Sequence, residues 1–144
     1  MRKLLCLAII STFIFMSGCQ TAMERDKREM LELYSNDDNY ITLTGEVTEI
    51  DNESGYNIML SIKCADLKKH NVNVGDEYKY WVFSSSNVNI GVGDTIVYKT
   101  VPIILDKHTE WFPIVAIEKN GKSILSFAEG KENLINFVNQ LQFK

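Results

Sequence analysis

From Ile41 onward the apolar residues of this chain recur at every second position, the period of a strand that buries one face. In ITLTGEVTEI, Ile41, Leu43 and Val47 fall on one side, with the threonines and Glu46 on the other. The turn-forming run Asp51 to Gly55 then leads into YNIMLSIK, where Tyr56, Ile58, Leu60 and Ile62 alternate with Asn57, Met59, Ser61 and Lys63; the two segments read as a hairpin. Glu77 to Phe83 and Thr95 to Val101 are further strands, rich in aromatic and β-branched residues. Each follows the same phrase, Val74-Gly75-Asp76 and Val92-Gly93-Asp94, in which glycine permits a tight turn and aspartate can bond the turn's own amides. A phosphate-cradling loop at Gly91 to Asp94 would need a lysine and a following helix, and neither is there. The clearest local signal is Asn120-Gly121 between two apolar alternating runs, which predicts a type I′ hairpin. Pro102 and Pro113 suit strand edges, not interiors.

Two stretches have a helical period. TAMERDKREMLELYSNDDN carries Met23, Met30, Leu33 and Tyr34 among many charges, and predicts a short helix that spaces the domain from its surroundings or lies against it, with a flexible tether as the alternative. EGKENLINFVNQLQ places Leu134, Phe137, Val138 and Leu141 on one stripe, an amphipathic helix expected to cap one opening of the sheet. The fold class is therefore mainly β: a small antiparallel barrel of five or six strands with a short N-terminal helix and a C-terminal amphipathic helix. A two-sheet sandwich is the rival.

The first residues follow a different logic. Arg2 and Lys3 are followed by an uncharged run from Leu4 to Met16, the layout of a secretory signal and too short for a membrane span, which takes about 20 apolar residues. The run ends in Met16-Ser17-Gly18-Cys19. This resembles the lipobox of bacterial lipoproteins, although methionine stands where leucine is commoner. The resemblance implies cleavage between Gly18 and Cys19, acyl groups on Cys19, and residence in the bacterial cell envelope. Gln20 is not the aspartate associated with inner-membrane retention, so the outer membrane is expected if the host has one, and otherwise the outer face of the cytoplasmic membrane. The chain then divides into a signal peptide (1–18), a lipid-anchored tether or short helix (19–40) and a barrel domain with its C-terminal helix (41–144). Two or three acyl chains suffice for stable anchoring.

Charge and cysteine content narrow the function. The chain carries a formal net charge of −4, and loses Arg2 and Lys3 with the signal. Its basic residues cluster only at Arg25, Lys27 and Arg28, so nucleic acid is not an expected partner. Of three cysteines, Cys6 leaves with the signal and Cys19 takes lipid. Cys64 is left alone, without an internal disulfide, and reads as a half-buried residue at a strand end.

The rhythm of GEVTEID (Gly45 to Asp51), YNIMLSI and VGDTIVYKT resembles the OB-fold domains of some bacterial lipoproteins, except that Ser84 to Gly93 is a polar loop where that fold usually has a helix. The resemblance implies a binding face framed by Asp51 to Gly55 and Pro102 to Phe112. Tyr80, Trp81, Tyr98 and Trp111, with His108 and Glu110, are then the candidate partner-binding residues. The aromatics have an alternative role as ordinary core. His108 and Glu110 lack the third ligand that a catalytic zinc wants, and His70 is the only other histidine. No catalytic set, metal or cofactor is expected. The expected function is a membrane-anchored, non-catalytic binding or accessory module for an envelope protein or glycan. The alternatives are an envelope hydrolase with dispersed catalytic residues and a structural or immunity-type lipoprotein.

Overall fold

The computed structural model describes residues 22–52, 58–65, 74–102 and 112–141. Helix α1 spans 22–35 and is followed by a short 3₁₀ turn, Asp37–Asn39. The strands are β1 (Ile41–Asp51), β2 (Ile58–Cys64), β3 (Glu77–Val82), β4 (Thr95–Thr100), β5 (Phe112–Lys119) and β6 (Lys122–Leu125), and helix α2 (Phe127–Gln140) ends the order.

The sheet runs β3-β2-β1-β4-β5-β6, and a parallel pairing of β3 with β5 closes the first five strands into a barrel. All other pairings are antiparallel. The result is a small OB-like barrel with an extra strand, and its closure excludes the two-sheet sandwich. The expected departure from the usual OB pattern is present: 83–94 contains no helix, and Val88 and Ile90 of this connection pack on the interior.

Inward positions of every strand meet in one cluster that includes Leu43, Val47, Leu60, Ile62, Cys64, Tyr80, Ile96, Tyr98, Ile114 and Ile117. Each large apolar side chain buried there contributes about 1.5–3 kcal/mol. Besides the register shift between β5 and β6 at Ile117/Glu118, two bulges adjust the alternation. At Thr48 the register slips between Val47↔Ile62 and Glu49↔Ser61, so Val47 and Ile50 both pack inward while Glu46 and Glu49 are both exposed. At Val115 it slips between Lys99↔Ala116 and Thr100↔Ile114, which keeps Ile114 and Ile117 in the interior and gives Val115 to a second cluster. Pro113 lies next to the beginning of β5, ahead of the stretch that pairs with β4.

The twin Val-Gly-Asp phrases form equivalent turns. Gly75 and Gly93 both have φ +88°, a conformation side chains rarely adopt. Gly75 N–H donates to Cys64 O while Cys64 N–H donates to Asp76 O; likewise Gly93 N–H donates to Val47 O and Val47 N–H to Asp94 O. Each turn thus clips onto a strand residue already committed to the core. Asn120 and Gly121 have φ of 54° and 72°, as a type I′ turn between β5 and β6 requires.

Helix α2 does not cap an opening. Its buried residues Gly130, Leu134 and Val138 join Val115, Phe83 and Val101 on the barrel's outer wall, apart from the interior cluster. A Cβ at Gly130 would collide with the Val115 carbonyl, so glycine is what lets the helix sit down on the bulge. Helix α1 docks on the same layer through Met30 and Tyr34. Lys27 Nζ donates to Asn139 O at 2.6 Å, and Lys131 Nζ donates to Ser35 O at 2.6 Å and pairs with Asp37, so α1 and α2 run antiparallel. Of the two roles expected for the N-terminal segment, 22–35 takes the one against the barrel.

Candidate functional site

Strand alternation decides where the candidate aromatics go. Tyr80 and Tyr98 are each 1% exposed. Their rings meet edge to face at 5.1 Å, and the Tyr98 hydroxyl donates to the Tyr80 hydroxyl at 3.1 Å. Burial pushes the Tyr80 phenol up to about 12, against the lowering effect of its bond with Tyr98. These two residues therefore belong to the core and are not available to a partner, which corrects their candidacy as binding residues. Trp81, one position along β3, points the other way. It is half-buried against Phe137 of α2 (5.8 Å between ring centroids) and Phe83 (6.3 Å). It is a helix-docking residue and not an open stacking platform. Cys64 is buried and free.

His108, Glu110 and Trp111 lie outside the described residues, as do His70, Gly18 and Cys19. Of the loop expected to follow β1, Asp51 and Asn52 are described: Asp51 is half-buried at the strand's end and Asn52 is exposed. Among the described residues no group of three His, Cys, Asp or Glu could hold a metal ion, and no helix is long and apolar enough to cross a membrane.

Among the described residues, the outer wall of β1, β2 and β3 presents an accessible charged surface. Cross-strand pairing aligns Glu46 with Lys63 and Lys63 with Glu77 in one row, and Glu49 with Ser61 and Ser61 with Lys79 in the next. Glu46, Glu49, Lys63, Glu77 and Lys79 are exposed. Opposite charges directly across a sheet attract, and the first row alternates them, Glu46 to Lys63 to Glu77. Thr48 Oγ1 is shared between Ser61 O (3.0 Å) and Glu77 Oε1 (2.5 Å), and Ser61 Oγ donates to Glu49 Oε2 at 3.2 Å. The bulge at Thr48 brings Glu46 and Glu49 onto one wall. The consecutive polar pair Thr48-Glu49 between Val47 and Ile50, which breaks the alternation, is the sequence signal that marks it.

A second charged cluster closes the Val92 turn. Asp94 accepts from Gly91 N–H at 2.6 Å and from Lys119 Nζ at 2.5 Å. The bond to Lys119, then that to the Gly91 amide, holds its carboxyl below the usual carboxylate range. This cluster ties the turn to the β5–β6 hairpin and is structural.

Comparison with protein-family models, curated proteins and solved structures gave no match to this chain.

Proposed function

We propose that the chain is a bacterial envelope lipoprotein, acylated on Cys19 after removal of residues 1–18, whose barrel holds a protein or glycan partner without catalysing a reaction on it. Its place is the outer membrane where the host has one, and otherwise the outer face of the cytoplasmic membrane. The anchor is supported by the order of cationic start, short apolar run and Met16-Ser17-Gly18-Cys19.

The observation that carries the binding role is the asymmetry of the barrel. Its interior is filled by side chains, and the wall at β5 is covered by α2. The β1–β3 wall presents exposed rows of Glu46, Lys63, Glu77, Glu49 and Lys79. Strands two and three form the surface that OB-folds use for ligands. Fixed rows of alternating charge suit a polar partner and give specificity more than raw affinity.

Two measurements test this. Intact mass of the mature protein and its flotation with membranes check the anchor; Cys19→Ser is expected to abolish both acylation and flotation. Cross-linked recovery of partners from envelope membranes checks the wall. Glu49→Lys with Lys79→Glu is expected to lower recovery severalfold, with Trp111→Ala testing the 103–111 segment separately. Equal recovery from wild type and all variants overturns the binding role.

A further inference from the structure

Helix α1 begins at residue 22 and is docked on the barrel layer through Met30 and Tyr34. Cys19 is three positions earlier in the sequence. Three residues of chain span at most about 10 Å however they are arranged. We infer that the folded body stands directly on the bilayer, with the start of α1 and the end of α2 against the lipid headgroups, and is not held off on a flexible stalk. This rests on the lipid attachment proposed above and adds an orientation to it.

The contacts around α1 say which part of the body is held down. Lys27 donates to Asn139 O, so the first turns of α1 lie beside the last turns of α2. Two residues earlier in α2, Phe137 packs on Trp81, which pairs with Met59 and Pro113 near the beginnings of β2 and β5. Charge favours an upright pose. Arg25, Lys27 and Arg28 are all in the first half of α1, interleaved with Glu24 and Asp26. Glu29, Glu32, Asp37 and Asp38 follow with no cation between them in the sequence. In space Arg25 pairs with Asp26 and Glu29, and Lys131 with Asp37, which leaves the acidic end with the surplus of negative charge. An anionic lipid surface attracts the basic half and repels the acidic end across a Debye length of about 8–10 Å.

The test uses the acylated protein in vesicles of phosphatidylethanolamine and phosphatidylglycerol carrying a headgroup nitroxide quencher. Ala128 and Gln140 are exposed at opposite ends of α2, about 18 Å apart along its axis. Cysteines placed there one at a time take a fluorophore under native conditions, since Cys64 is buried. Strong quenching is expected at Gln140→Cys and little at Ala128→Cys, and a long Gly-Ser insertion between Thr21 and Ala22 is expected to erase the difference while flotation persists. Flotation with equal quenching at both sites, or a difference that survives the insertion, overturns the upright apposition and leaves the anchor intact. Flotation unchanged by Cys19→Ser overturns the anchor and the apposition together.

Discussion

The hydroxyl of Tyr98 donates to the hydroxyl of Tyr80 across 3.1 Å, and so joins β4 to β3, two strands that are not neighbours in the sheet. The bond braces the barrel through its middle. Tyr80→Phe removes the acceptor at constant ring volume and is expected to cost about 1 kcal/mol. Tyr98→Ala also removes the ring and is expected to cost about 3–5 kcal/mol. Urea denaturation reads both, and a Tyr80→Phe midpoint equal to wild type would show that the brace contributes nothing.

Alkaline pH attacks the same pair. An unfolded tyrosine ionises near its ordinary value of 10.0, whereas burial pushes Tyr80 up to about 12. Between those values the unfolded chain releases a proton that the folded one keeps, so stability is full below the lower value and falls as pH rises, by about 1.4 kcal/mol per unit. Tyr40, raised by burial and then by Asp37, steepens the same limb. Urea midpoints through this range are expected to drop in wild type and to drop less in Tyr80→Phe. An unchanged slope in that variant would contradict the assignment.

At acid pH the sign reverses. Lys119 and the Gly91 amide hold the Asp94 carboxyl below its ordinary value, so the stability it lends is present above that value and disappears as pH falls through the depressed one. Asp94→Asn is expected to flatten part of the acid limb and loosen the Val92 turn, seen as faster amide exchange at Gly93 and Val47. A variant with the wild-type acid profile would assign that limb to other carboxylates.

Gly130→Ala is a test of the helix seat. Alanine is the better helix former by about 1 kcal/mol, yet its Cβ would strike the Val115 backbone. Overpacking of this kind costs about 1–3 kcal/mol, and rigid backbone cannot yield as a side chain can. Net destabilisation is expected, with exchange rising in α2 before the barrel. A stabilised variant would mean that the helix can lift without loss.

How much of this was legible depended on the range of the interactions involved. The strands were readable because a barrel wall is dry on one side and wet on the other, and the turns because positive φ selects glycine and asparagine. The parallel seam between Tyr80 and Phe112 was not, since it joins residues with the whole of β4 and the chain on either side of it between them. The stripe Leu134, Phe137, Val138 showed that α2 buries one face; only Gly130 over Val115 fixed it to the outer wall and not an opening. In the sequence alone, Tyr80 and Trp81 read as one aromatic surface. Alternation requires neighbours in a strand to face apart, and which of the two faces inward is settled only by closure. The bulges at Thr48 and Val115 left the subtler trace of a broken alternation.

Because β3 meets β5, β6 is the one strand, among the described residues, with a partner on a single side. It is four residues long, opens with exposed Lys122 and runs at once into α2. Naked strand edges invite neighbouring molecules to add on and polymerise; short, lysine-bearing ones do not. On the membrane surface proposed above, crowding of many copies would multiply such encounters, and this shape meets them with almost no template to copy.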